Sequence, residues 1–153
     1  MSSKFTIVAV AMFLILTMFI YFLINPSYEK SIKAKYYFEM GHYDKALVLA
    51  REAFSVDVYN RMASTVMSQS VISLKYVNYN AMAKKYMKEI NSIARHEYIT
   101  DGDKAKIRLM CEIMTGSYVK LAPSVITDKN LVRKSASYFQ KFEKLLVKVN
   151  RKI

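Results

Sequence analysis

From residue 5 to residue 24 the chain carries no charge, and only Thr6, Thr17 and Tyr21 bring polar side-chain atoms. A helix rises about 1.5 Å per residue, so this run spans roughly 30 Å, the thickness of a bilayer's hydrocarbon core. Hydroxyls in such a helix can bond back to a carbonyl one turn earlier and need no other partner. The pattern therefore predicts a membrane-spanning helix anchored by Phe5, Phe13, Leu14, Phe19, Phe22 and Ile24. A cleaved secretory signal has a shorter apolar region, about 7 to 15 residues, followed by small residues at the cleavage site. Residues 19–24 read Phe, Ile, Tyr, Phe, Leu, Ile and offer no such site, so an uncleaved anchor is expected. A buried helix of a globular protein would keep one polar face, which this run lacks.

Beyond residue 25 the apolar positions recur at helical spacing. Asn25 before Pro26 is a cap-and-proline helix start, which predicts a helix over residues 26–40, broken by Gly41 and followed by another over 43–56. Asn60 can cap the next helix. A second pair is expected over 61–76 and 80–94, with a turn through Val77, Asn78 and Tyr79. Thr100 with Asp103 forms a capping-box-like start for a helix whose apolar stripe is Ile107, Cys111, Met114 and Tyr118. After a loop at Pro123, a last helix over 127–150 aligns Leu131, Tyr138, Phe142, Leu145 and Val149 on one face. Only three Gly and two Pro interrupt a chain rich in helix-forming residues. The expected fold is all-α: an N-terminal transmembrane helix in residues 1–25, then a soluble domain over 26–153 made of three hairpins, six helices.

The first hairpin carries a family resemblance. Ala34, Tyr37, Gly41, Tyr43, Ala46, Ala53, Asp57 and Asn60 fall at spacings similar to those of a tetratricopeptide (TPR) repeat. Lys30 stands where that family opens with Trp, and Val58 where it usually places proline. The resemblance implies a repeat of about 34 residues, in which small residues let paired helices approach and aromatics fill the space between them. It also implies a short TPR-like solenoid that presents an extended surface to other proteins. Small anchored proteins of this kind serve as chaperones and scaffolds of secretion, division and flagellar motor machines.

Charge adds a direction to that expectation. Twenty-four Lys and Arg against twelve Asp and Glu give a net charge of +12, which favours an acidic protein face or anionic lipid as partner. The excess concentrates in the last helix, where Lys129, Arg133, Lys134, Lys141, Lys144, Lys148, Arg151 and Lys152 face only Asp128 and Glu143. Lys134, Lys141, Lys144, Lys148 and Arg151 are the candidate contacts to a partner or to lipid headgroups. Nucleic acid is not expected, because no recognisable nucleic-acid-binding motif is present. His42 and His96 lack neighbours at metal-ligand spacing, and Cys111 sits on an apolar stripe, where a packing role is expected. No general acid–base pair, nucleophile–base set or phosphate-binding loop is visible, so neither an enzyme, nor a cofactor, nor a small-molecule substrate is expected.

Membrane orientation rests on the flanks of the apolar run. Lys4 precedes it, and Lys30, Lys33 and Lys35 follow against Glu29. The count alone favours a cytoplasmic domain, whereas the usual outcome for an N-terminal signal-anchor places the domain outside the cytoplasm, in a periplasm if the source is a Gram-negative bacterium. The outside placement is the expectation, with the cytoplasmic one as its alternative. The resulting reading is a membrane-anchored scaffold or assembly factor of a larger envelope complex. Its alternative is a membrane-surface module whose basic C-terminal helix binds anionic lipid.

Overall fold

The computed structural model describes the backbone of residues 3–150, without the side chains of residues 3, 4, 22 and 23. Among the described residues the fold is all-helical, with six helices and no strands. These are α1 (Ser3–Ile24), α2 (Pro26–Glu39), α3 (Tyr43–Val56), α4 (Arg61–Ile93), α5 (Asp101–Val119) and α6 (Lys129–Asn150). They divide into two compact units between Val71 and Ile72, and α4 contributes to both.

In the first unit, local chemistry sets each boundary. The Asn25 side chain accepts the Ser27 N–H at 3.0 Å and Pro26 occupies the first turn, so α2 starts where the sequence places it. At its other end Gly41 adopts a φ of 78°, the only positive φ among the described residues. The His42 N–H then reaches the Tyr37 carbonyl at 2.9 Å and the Gly41 N–H the Phe38 carbonyl at 3.0 Å. Those two bonds form a Schellman closure, which satisfies carbonyls that the helix end would otherwise leave bare.

The α2–α3 hairpin closes on small side chains. Ala34, Ala46, Ala50 and Ala53 have no exposed surface, and Ala34, Ala46 and Ala50 pack with Val66 of α4 in one cluster edged by Tyr37, Phe38 and Leu49. Methyl groups at these contacts let the helix axes approach. A polar knot fastens the same unit. Asn60 donates from Nδ2 to the Ser27 hydroxyl at 2.9 Å and the Ser31 hydroxyl at 3.2 Å, while its Oδ1 accepts the Ala63 N–H at 3.1 Å. The Ser27 hydroxyl in turn donates to the Ala53 carbonyl at 2.9 Å. All three side chains are buried, so their pairing avoids the cost of desolvated, unmatched polar groups.

The expected second hairpin is corrected: residues 61–76 and 80–94 do not form two helices, because α4 continues without a break through Val77, Asn78 and Tyr79. Consequently five helices, not six, follow residue 25 among the described residues, and the three-hairpin solenoid is not formed. The physical reason is twofold. No Gly or Pro lies between Arg61 and Ile93, and Asn80, a residue that locally favours a helix start, has its amide engaged by tertiary contacts instead. Its Oδ1 accepts the Ser135 hydroxyl at 3.0 Å and its Nδ2 donates to the Leu131 carbonyl at 3.3 Å.

In the second unit, the C-terminal part of α4 packs with α5 and α6. Tyr79, Ala83, Ile90 and Ile93 of α4 meet Ile107, Met110, Cys111 and Met114 of α5 and the fully buried Phe142 of α6. Tyr118 lies 5.8 Å from Tyr79 and stacks on Phe139 at 4.4 Å. Lys106 pairs with Glu89 at 2.6 Å, so α5 runs antiparallel to α4. The Thr100–Asp103 capping box forms as the sequence predicts, with the Asp103 N–H donating to the Thr100 hydroxyl at 3.1 Å and the Thr100 N–H to the Asp103 carboxylate at 3.0 Å. These bonds hold the Asp103 carboxyl below the usual carboxylate range. The last helix begins at Lys129 rather than residue 127, with the Asp128 carboxylate accepting the Asn130 N–H at 2.7 Å.

Candidate functional site

Three groups of residues emerge from the sequence as candidates, and each occupies a distinct setting. On α1, Phe5, Phe13, Leu14, Phe19 and Ile24 are all more than 60 % exposed, and apolar residues on the other sides of the helix are exposed as well. The Thr17 hydroxyl bonds back to the Phe13 carbonyl at 2.9 Å, as the sequence leads one to expect. Phe22's side chain and Arg151 lie outside the described residues. Among the described residues no single helix is long and apolar enough to cross a membrane. Phe5–Tyr21 together with Pro26–Glu39, bent by 72°, meets that length and composition as a pair.

The repeat-like residues come together in the α2–α3 hairpin. Ala34, Ala46 and Ala53 are in its interior, Tyr43 is 8 % exposed, Tyr37 is half-buried, and Gly41 makes the turn. Tyr37 forms edge-on ring contacts with Tyr36 and His42 and lies beneath the Lys45 ammonium at 5.6 Å. With Asp44, Lys45, Val48 and Leu49 it lines a shallow depression. His42 caps α3 only by position, without a side-chain hydrogen bond to the helix end.

Basic residues of α6 form the third group. Lys134, Lys141, Lys144 and Lys148 are exposed, alongside a face made by Ser135, Phe142, Leu145 and Val149. None of the four makes an ion pair among the described residues, whereas Lys30, Lys33, Lys104 and Lys106 all do. Lys141 places its ammonium 5.7 Å above the Tyr138 ring. Such a contact orients the cation while leaving its charge available.

A fourth feature escapes the sequence reading. Lys84, Lys88 and Arg95 line a groove of about 400 Å³ with Met87, Asn91 and Tyr138. Their four- and seven-residue spacing is visible in the sequence, but the groove also needs Tyr138, which only the fold brings beside them.

Burial pushes the Cys111 thiol up to about 11, with Glu112 adding to the shift, so the thiolate is disfavoured near neutrality. No group of three or more His, Cys, Asp and Glu converges among the described residues. No family model, curated protein or solved structure matches the chain.

Proposed function

We propose that this chain is a bilayer-tethered protein-interaction module, in which α1 is the anchor and the basic face of α6 meets an acidic surface on a partner. The reading assigns it no reaction. The observation that carries it is the set of four exposed, unpaired lysines on α6, segregated from the apolar face that packs into the second unit. A solvated helix that served only solubility would interleave both signs of charge, whereas Glu143 is the only acid between Lys129 and Asn150.

The anchor part of the reading is supported by the uncharged run 5–24 and by the exposure of its described side chains. Apolar surface costs about 25 cal/mol per Å² in water, so a helix exposed on all sides is stable only when lipid or protein covers it. The α2–α3 hairpin, with small residues at its contact, supports a single TPR-like unit. An envelope assembly machine and a domain outside the cytoplasm remain part of the proposal.

The test is in-cell crosslinking of the full chain followed by recovery of its complexes. Lys141→Glu, Lys144→Glu and Lys148→Glu together should reduce recovery several-fold while leaving the protein folded and in the membrane. Retained complexes, with lost binding to anionic vesicles, would instead assign the basic helix to lipid.

A further inference from the structure

The groove on the second unit differs from the exposed face of α6 in being concave and having a mixed lining. Lys84, Lys88, Asn91 and Arg95 follow one another at steps of four, three and four residues, so they form a single row along α4 and just past its end. Asn80 is bonded to Ser135 and Leu131, and farther along both helices Met87 and Tyr138 share the groove, so α4 and α6 run parallel here. Lys141 stands over Tyr138 on the opposite wall. Lys84, Lys88 and Arg95 thus line one side of the groove, and Tyr138, with Lys141 over its ring, stands on the other. No carboxylate lines it, and Glu89 of the same helix is paired with Lys106 of α5.

We infer that this groove docks an acidic helical segment of a partner protein, its carboxylates meeting the row from Lys84 to Arg95, with Lys141 across from it, and an apolar side chain resting on Met87 and Tyr138. The inference rests on the interaction reading above and adds where the partner sits and what its chain carries. The row from Lys84 to Arg95 extends about 16 Å, roughly three helical turns, which suits a helix lying lengthwise. A flat bilayer surface would reach the rims and leave the apolar floor uncovered. A single aromatic in the floor also gives a single-stranded nucleic acid little to stack on. A second copy of this chain is disfavoured by charge, since no described helix repeats a carboxylate at the four-three-four spacing.

The experiment uses the full chain in zwitterionic nanodiscs and a labelled synthetic helix with Glu at four-three-four spacing and one Leu beside that row, read by fluorescence anisotropy. The patterned peptide should bind at least tenfold more tightly than a scrambled peptide of the same composition. Lys84→Glu with Lys88→Glu should weaken it at least tenfold with an unchanged circular dichroism spectrum. Lys120→Glu with Lys129→Glu, an equal change of charge elsewhere, should alter it less than twofold. Equal binding of the scrambled peptide, equal loss in the control variant or no binding of the patterned peptide would overturn the inference. So would tighter, Lys84- and Lys88-dependent binding of phosphatidylglycerol vesicles or of an oligonucleotide. Crosslinked complexes that depend on the α6 lysines and survive Lys84→Glu with Lys88→Glu would leave the interaction reading intact and remove only the groove.

Discussion

Tyr79 sits in the core of the second unit with its hydroxyl buried and unpartnered among the described residues, and burial pushes its pKa up to about 12. An unfolded tyrosine titrates near 10, so the folded value is the raised one. The contribution of the neutral phenol is therefore fully present below about pH 10 and is lost as pH rises toward about 12. Tyr79→Phe should flatten that alkaline loss of stability. At neutral pH it should also stabilise by on the order of 1 kcal/mol, because an unmatched buried hydroxyl carries a desolvation cost. Denaturant titrations of both proteins, at neutral pH and near pH 11, measure the two effects; a lower neutral midpoint in the variant would mean that the hydroxyl has a partner. Cys111 offers a second residue-scale check. Its buried thiol should stay unreactive toward a disulfide reagent until denaturant is added, whereas rapid labelling of the folded protein would place it at the surface.

At the scale of elements, the two glycines Gly41 and Gly116 should respond in opposite ways. An added methyl meets nothing within 4 Å at either site, so backbone conformation alone decides. Gly41→Ala puts a side chain at φ 78° and should cost about 1 kcal/mol, while Gly116→Ala, inside α5, should gain about 0.5 to 1 kcal/mol. Thermal unfolding of both variants checks the pair. Ala46→Trp should overpack the α2–α3 contact and cost about 1 to 3 kcal/mol; an unchanged midpoint would remove that contact from the account.

These elements also show what sequence alone conveys. Caps at Asn25, Thr100 and Gly41 were legible because they are local chemistry, bonds between residues no more than five apart. Asn80 was not, because local propensity favours a helix start there and the bonds that override it come from Leu131 and Ser135, more than fifty residues away. The corrective signal was the register of α4: Ser73, Tyr76, Asn80, Ala83 and Ile90 are all buried and continue one face through the expected turn. Asn80→Ala should cost about 1 to 3 kcal/mol by leaving this junction incompletely paired and packed. The basic face of α6 was legible because it lies on one helix. The groove was not, since it needs two helices whose parallel placement is set by the fold.

The whole molecule joins an apolar helix with exposed side chains to helices that bury two apolar clusters and carry exposed lysines on α6. That division makes membrane attachment the property from which the remainder of the proposed function follows, since a tethered basic module can meet partners only on its own side of a bilayer. The direct test is alkaline carbonate extraction of membranes from cells making the full chain, followed by the intact mass of the protein that remains in the pellet. The account predicts that the chain stays in the pellet with residues 1–25 still attached, and that Phe13→Lys with Leu14→Lys releases it, because each charge placed at the centre of a span costs about 2.5 to 3.5 kcal/mol. Wild-type protein in the carbonate supernatant, or a mature chain beginning near Asn25, would contradict it.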